Sequence, residues 1–209
     1  MPQANFKTEQ ETFWAGEFGD EYTFRNDGAN MLAANASLFT KVFSRMGKPK
    51  SIVEFGCNQG MNLKAINTLL PETKLTGVEI NKTAAEKLEK DLGIKVHNTS
   101  ILDFDTTEKH DLAMIKGVLI HINPEELATV YDKLYAASSE YIFVCEYYNP
   151  APVAIPYRGH DNKLFKRDFA GEILERFSDL ELVDYGFCYR RDPVFPMDDV
   201  TWFLMRKTK

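Results

Sequence analysis

The chain has 209 residues, 44% of them hydrophobic and 27% charged, with 25 basic against 31 acidic side chains and a formal net charge of −6. That length gives one large core and hardly two independent domains, so a single domain over residues 1–209 is expected. The acidic balance, with a pI near 5.3, offers no overall attraction to nucleic acid or to anionic membranes and points to a small-molecule or protein partner. Cys57, Cys145 and Cys188 are scattered and form no C-x-x-C pair, which suggests neither a disulfide framework nor a zinc site and fits a reducing cytoplasm. The first residues lack a basic start and an apolar run, and nowhere do eighteen apolar residues follow one another, so neither secretion nor a membrane span is expected.

Residues 1–30 are polar yet carry Phe6, Phe13, Trp14, Phe18, Tyr22 and Phe24, too many aromatics for a disordered tail. Apolar residues at helical spacing predict a helix over Asn30–Met46, stopped by Gly47 and Pro49. Residues 1–46 are read together as an N-terminal helical lid. Lys50–Gly56 reads as a short buried strand, followed by a glycine-bounded turn and a helix over Met61–Leu70 closed by Pro71. Leu75–Ile80 is the next strand, Thr83–Leu92 a helix ended by Gly93, and Ile94–His97 a third strand. Asp111–Lys116 gives a fourth, Pro124–Ala137 a helix with Asn123 as its N-cap, and Tyr141–Glu146 a fifth. Strands alternating with helices predict an α/β, doubly wound, mostly parallel sheet.

Past Asn149 the alternation breaks. Residues 149–165 hold Pro150, Pro152, Pro156 and Gly159 and are read as an irregular connection, part of an acceptor-side connector over 149–170. A helix over Lys166–Phe177 and strands over Glu181–Tyr189 and Val200–Arg206 follow, the two strands forming an antiparallel C-terminal edge of a seven-stranded sheet.

Val53-Glu-Phe-Gly-Cys-Asn-Gln-Gly60 is the most informative segment, with an acidic residue near the end of a strand and two glycines flanking a turn before a helix. Backbone approaches a ligand closely only where side chains are absent, and the helix that follows offers unpaired N–H groups, so this is a nucleoside-ligand loop. It is not the dinucleotide G-x-G-x-x-G, because its second glycine falls four positions after the first. Glu79, near the end of the second strand, is placed to accept ribose hydroxyls, and Asp103 adds a polar group at the same edge.

Over residues 40–209 these features resemble the class I S-adenosylmethionine-dependent methyltransferases, with Asn58 where that family's loop carries its middle glycine. The resemblance implies S-adenosylmethionine as cofactor. It implies that Glu54 and Gly56 line the methionine end, with Cys57, Asn58 and Gly60 completing the loop. Glu79 and Ile80 would hold the ribose, Ser100 and Ile101 flank the adenine, and Lys116 and Gly117 face the methyl-transfer centre. A narrower resemblance, to the pseudaminic acid biosynthesis-associated methylases, spans nearly the whole chain. Three segments carry it: Thr8-Glu-Gln-Glu-Thr-Phe-Trp-Ala-Gly-Glu-Phe-Gly-Asp-Glu-Tyr22, Glu146-Tyr-Tyr-Asn-Pro150 and Tyr157–Gly171. It implies a sugar or nucleotide-sugar acceptor.

Methyl transfer needs an aligned nucleophile and often a base. His121, after the fourth strand, is a candidate base or a residue that holds its loop. His160 lies in the connector, where Arg158, Lys163, Lys166 and Arg167 outnumber the single carboxylate Asp161. Arg158, Lys163 and Arg167 are read as contacts for an anionic acceptor, the other reading being salt bridges to Asp168 and Glu172. Tyr147, Tyr148 and Asn149 leave the fifth strand at the ligand-bearing edge, Tyr147 as an acceptor contact and the other two as catalytic candidates, unless the tyrosines merely pack. Trp14, Tyr22 and Arg25 form either a cofactor lid, with Arg25 pairing the methionine carboxylate, or an aromatic helix packed on the sheet. No His/Asp/Glu cluster has metal-ligand spacing. The same cofactor site is also compatible with cyclisation or cleavage of the cofactor, or with a non-catalytic sensing module.

Overall fold

The computed structural model describes residues 6–23 and 28–208, with residues 160–162 described by their backbone alone. Two short helices, α1 (Glu9–Ala15) and α2 (Glu17–Thr23), precede α3 (Ala29–Met46). There follow β1 (Ser51–Phe55), α4 (Met61–Leu69), β2 (Lys74–Glu79), α5 (Lys82–Leu92), β3 (Lys95–Asn98) and β4 (His110–Lys116). A 3₁₀ turn over Pro124–Glu126 runs into α6 (Leu127–Ala137), then β5 (Ser138–Glu146), β6 (Val153–Tyr157) and β7 (His160–Lys166). The chain ends with α7 (Phe169–Arg176), β8 (Leu180–Cys188) and β9 (Val200–Lys207).

Seven strands form one sheet in the order β3-β2-β1-β4-β5-β9-β8. β1 to β5 pair in parallel, and β9 lies antiparallel between β5 and β8. The order reverses on either side of β1, and there the C-terminal strand ends open the crevice in which such sheets take ligands.

The central strands are buried on both faces, which is why they read as continuous apolar runs. Val53, Phe55, Ile115 and Val144 face α6 and α7 in one core, and Ile52, Met114 and Phe143 face α3 and α4 in the other. Leu38, Phe39 and Val42 bury one side of α3 in that second core, while its first turns, at Ala29, Asn30, Met31, Ala34 and Asn35, border the ligand edge beside α1 and α2. Helix ends follow local chemistry. Asn81 caps α5 by accepting the Ala84 N–H at 2.9 Å, Gly93 ends it in the left-handed conformation, and Asp168 caps α7 by accepting the Gly171 N–H at 2.8 Å.

The connector differs from its sequence reading. Residues 149–165 are not irregular throughout: β6 and β7 form an antiparallel hairpin, and the following helix starts at Phe169 instead of Lys166. Arg158 (φ 50°) and Gly159 (φ 84°) make the two-residue turn with positive φ at both positions, which matches strand twist. Pro156 falls at the register shift between Ile155 and Tyr157, where a missing N–H is tolerated.

Candidate active site

The loop after β1 turns three times through positive φ, at Gly56 (71°), Asn58 (48°) and Gly60 (78°). The N–H groups of Gly56 and Cys57 both donate to the carbonyl of Val78, at 2.8 and 3.1 Å, which ties the loop to β2. A Cβ on Gly56 would meet the Val118 side chain at 2.7 Å, and one on Gly60 would meet Leu88 at 2.3 Å. Both glycines are therefore demanded by the protein's own packing as well as by their φ. Gly56, Cys57 and Asn58 border the cavity, whereas Gly60 does not. The Cys57 thiol is buried against Gly77, and burial raises its pKa well above the usual thiol value.

Glu79 ends β2 beside this loop. Its Oε2 accepts the Asn58 N–H and its Oε1 the Asn81 N–H, each at 2.7 Å. Burial raises the pKa of this carboxyl group, and the N–H groups of Asn81, Asn58 and Ile80 oppose the shift. A carboxylate offers about four acceptor sites, so with three backbone N–H groups upon it the group keeps one for a ligand hydroxyl.

Glu54 is wholly buried and reaches the cavity only through Asn62, whose Nδ2 donates to Glu54 Oε1 at 2.5 Å. Burial pushes its pKa up to about 8. Glu146 ends β5 and accepts the N–H groups of Val118 and Leu119 at 2.9 and 3.0 Å, fixing the turn that follows β4. Its pKa is raised to about 7, again by burial. Lys116 stands between these acids and, with Gly117, borders the cavity; open space lies where a Gly117 Cβ would be.

The N-terminal helices close one side. Glu11 on α1 forms a capping box with Thr8, and its Oε1 accepts the Ser100 hydroxyl. Lys7 pairs with Asp103 at 2.6 Å, Asn81 Nδ2 donates to Asp20 at 3.0 Å, and Gln59 Nε2 donates to the Thr23 carbonyl at 2.8 Å. Trp14, Tyr22, Ile80, Ser100 and Ile101 border the cavity under this cover. Arg25 lies outside the described residues.

Opposite them, His121 is held between two rings, Trp14 at 4.7 Å and Tyr157 at 4.8 Å. Its Nδ1 lies 2.6 Å from the Lys163 carbonyl oxygen. A carbonyl only accepts, so Nδ1 carries the hydrogen and Nε2 keeps its lone pair. Burial lowers the imidazole pKa to about 4, leaving it neutral at physiological pH.

Of the basic connector residues, only Arg158 borders the cavity, with its guanidinium 5.6 Å from the Tyr157 ring centre. Lys163 and Arg167 are corrected from acceptor contacts to structural pairs. Lys163 Nζ donates to Glu9 at 3.1 Å and lies over the Phe13 ring, while Arg167 Nε donates to Glu172 at 2.6 Å. Tyr147 borders the cavity, but Tyr148 points away from it, exposed and 6.2 Å from the Phe203 ring, because adjacent side chains leave an extended segment on opposite sides. Asn149 is also outside the cavity wall, its amide donating to the Ala151 carbonyl to close the start of the hairpin loop. The side chain of His160 is not among those described.

The cavity is open to solvent on one side and measures about 1020 Å³. Tyr157, Arg190 and Asp198 also border it and were not legible as site residues, since each depends on where the hairpin and the β8–β9 loop fold back. Glu11 was legible in principle, because Thr8-x-x-Glu11 is a capping-box signature. Among the described residues no group of three or more His, Cys, Asp or Glu could hold a metal ion, and no helix is long and apolar enough to cross a membrane.

A parallel sheet with one antiparallel strand near its edge, a glycine loop after β1 and a carboxylate closing β2 define the Rossmann-like fold of class I methyltransferases. Residues 52–139 match the family model described as Methyltransferase domain. The chain is similar in structure to the 1,6-didemethyltoxoflavin-N1-methyltransferase of Burkholderia thailandensis, solved with 1,6-didemethyltoxoflavin and S-adenosylhomocysteine. The TM-score is 0.71 at 16% identity, over 95% of this chain and 87% of that one. It is also similar to magnesium protoporphyrin IX methyltransferase from Synechocystis PCC 6803 with bound SAM (TM-score 0.69, 11% identity, 98% and 100% of the two chains). A third similar structure is the sugar N-methyltransferase KedS8 from Streptoalloteichus sp ATCC 53650 (TM-score 0.66, 15% identity, 93% and 94%). No curated protein matches the chain in sequence.

Proposed function

We propose that this protein transfers the methyl group of S-adenosylmethionine to a small or medium-sized anionic acceptor, a sugar or nucleotide-sugar of the pseudaminic acid pathway. One observation carries the reading. A single cavity is bordered by the glycine loop and Glu79 and also by His121, Tyr157 and Arg158, so one space serves donor and acceptor, with Lys116 and Gly117 on its wall. The three segments that resemble the pseudaminic acid biosynthesis-associated methylases support the pathway assignment, and the likeness to a sugar N-methyltransferase supports a sugar. The net charge of −6 supports a small molecule over nucleic acid as partner.

When bound, the sulfonium supplies an activated methyl carbon and a neutral thioether leaving group. The chain contributes position and exclusion of water. Glu79 holds the ribose, and the N-terminal helices close over the nucleoside through Glu11 and Ser100. Neutral His121 accepts a hydrogen bond from the acceptor's N–H or O–H at Nε2, which turns the nucleophile's lone pair toward the methyl carbon. Its low pKa makes it an orienting acceptor and a weak proton sink. Arg158 pairs with the acceptor's negative charge at the cavity mouth.

The test is to incubate purified protein with S-adenosylmethionine, with and without an extract of small anionic sugars, and to separate the products. S-adenosylhomocysteine that depends on the extract is the expected result. Methylthioadenosine formed without acceptor would move the reaction to cofactor cleavage, and tight binding with neither product would leave a sensing module.

A further inference from the structure

We propose that the free edge of β8 docks a second copy of this chain, the two β8 strands pairing antiparallel about a twofold axis near Gly186. β8 is the last strand of the sheet and is bonded on one side only, to β9. Edge strands of this kind are normally blunted by lysine, proline or a cover. β8 (LELVDYGFC) contains neither lysine nor proline, and its one irregularity is the register shift between Leu182 and Asp184.

The outward side chains are apolar. Tyr185 is 64% exposed, Phe187 59%, Tyr189 46% and Leu182 44%. Tyr185 pairs with Phe203 and Leu182 with Met205, residues that face the α6 and α7 side, so this stripe continues that face of the sheet past the last helix. The rings already form a ladder, with Tyr148, Phe203 and Tyr185 at successive centroid separations of 6.2 Å. A contiguous exposed aromatic stripe on an unpaired edge is a docking surface, not ordinary solvent-facing strand.

Charge selects the occupant. The strand begins with Glu181 and Asp184 and runs out into exposed Arg190 and Arg191. An antiparallel pair centred on Gly186 lays the acidic start of one copy beside the basic end of the other, twice by symmetry, and sets Tyr185 of one against Phe187 of the second. Parallel pairing would instead align like charges. The local partners of the acids, Arg206 for Glu181 and Arg45 for Asp184, lie on the chain's own β9 and α3 and leave the free edge open. At the arginine end, the Arg190 guanidinium makes a 3.4 Å contact with Asp199, whose other oxygen accepts the Arg190 N–H at 3.0 Å.

Sedimentation equilibrium of the full chain, at concentrations from about 1 µM to about 200 µM, tests this, since association depends on protomer concentration. Wild type is expected to reach twice the chain mass. Tyr185→Lys with Phe187→Lys is expected to raise the dimer dissociation constant more than tenfold, with unchanged circular dichroism and unchanged S-adenosylhomocysteine binding. Glu181→Arg alone, and Arg190→Glu with Arg191→Glu alone, are each expected to weaken self-association, and mixing these two variants is expected to restore it. Wild type of single-chain mass throughout would overturn the proposal. So would a dimer that persists in the folded Tyr185/Phe187 variant, a mixture that fails to recover, or a monomer whose stripe binds anionic or neutral lipid vesicles instead.

Discussion

The His121 imidazole is fixed in one tautomer by the Lys163 carbonyl oxygen, 2.6 Å from Nδ1, so a strand of the hairpin sets the protonation pattern of a residue that follows β4. Burial holds the ring's folded pKa near 4, below the ordinary 6.5. A group depressed on folding in this way stabilises the native state above its unfolded pKa, and that contribution is lost as the pH falls from 6.5 through 4. The expected size is on the order of 3 kcal/mol across that window. Urea unfolding of wild type and His121→Gln at pH 7 and pH 4.5 checks it. The wild type should lose more stability than the variant on acidification, and parallel losses would show that His121 stays charged in the folded protein.

Glu79 joins two tasks, since it fastens the loop at Asn58 and the start of α5 near Asn81 while keeping an acceptor site for a ligand. Glu79→Ala is expected to weaken S-adenosylhomocysteine binding by about 1–3 kcal/mol, because ribose hydroxyls would be buried unpaired. Calorimetry at a temperature where the variant remains folded measures the loss. An unchanged dissociation constant would remove Glu79 from the ribose site.

The contact from Ser100 to Glu11 latches α1 over the cavity. Ser100→Ala removes that hydroxyl, and with it the acceptor of the Leu102 N–H at 3.0 Å, while leaving the Thr8 capping box intact, so α1 should persist as a helix and hold the cavity less tightly. The expected effect is about 1 kcal/mol, read as a roughly fivefold faster dissociation of S-adenosylhomocysteine in stopped flow. Hydrogen exchange should rise across α1 and not across α4. Unchanged release would mean that cofactor exchange does not pass beneath α1.

The alternation of strands and helices, the glycine loop and Glu79 were readable because each rests on residues close in sequence whose period or spacing has one physical cause. What escaped was decided by distant contacts. Lys163 and Arg167 looked like free cations beside Arg158, but the carboxylate that pairs Lys163 belongs to Glu9, 154 positions away. Arg167 answers to Glu172, a salt bridge that neighbouring sequence did allow. The β6–β7 hairpin was hidden by its turn, since arginine is not a residue that announces positive φ. Tyr148 and Tyr147 differ only in parity, and parity at a strand end is set by where the strand stops.

Arg158 is the position where that hidden turn bears on function. A side chain with a Cβ at φ 50° carries a backbone cost, on the order of 1 kcal/mol, that asparagine or glycine largely avoids. Nothing in its packing requires arginine, for its guanidinium borders the cavity and contacts the Tyr157 face. Arg158→Asn should therefore unfold at an equal or higher temperature than wild type, bind S-adenosylhomocysteine with the same affinity, and show a higher acceptor KM. The three readouts separate the alternatives. A lower melting temperature would mean that the arginine supports the hairpin, and a weakened cofactor would place it on the donor side. A charge-reading role requires that the KM change shrink for an acceptor stripped of its acidic group, because only then is the lost interaction the one between the guanidinium and that charge.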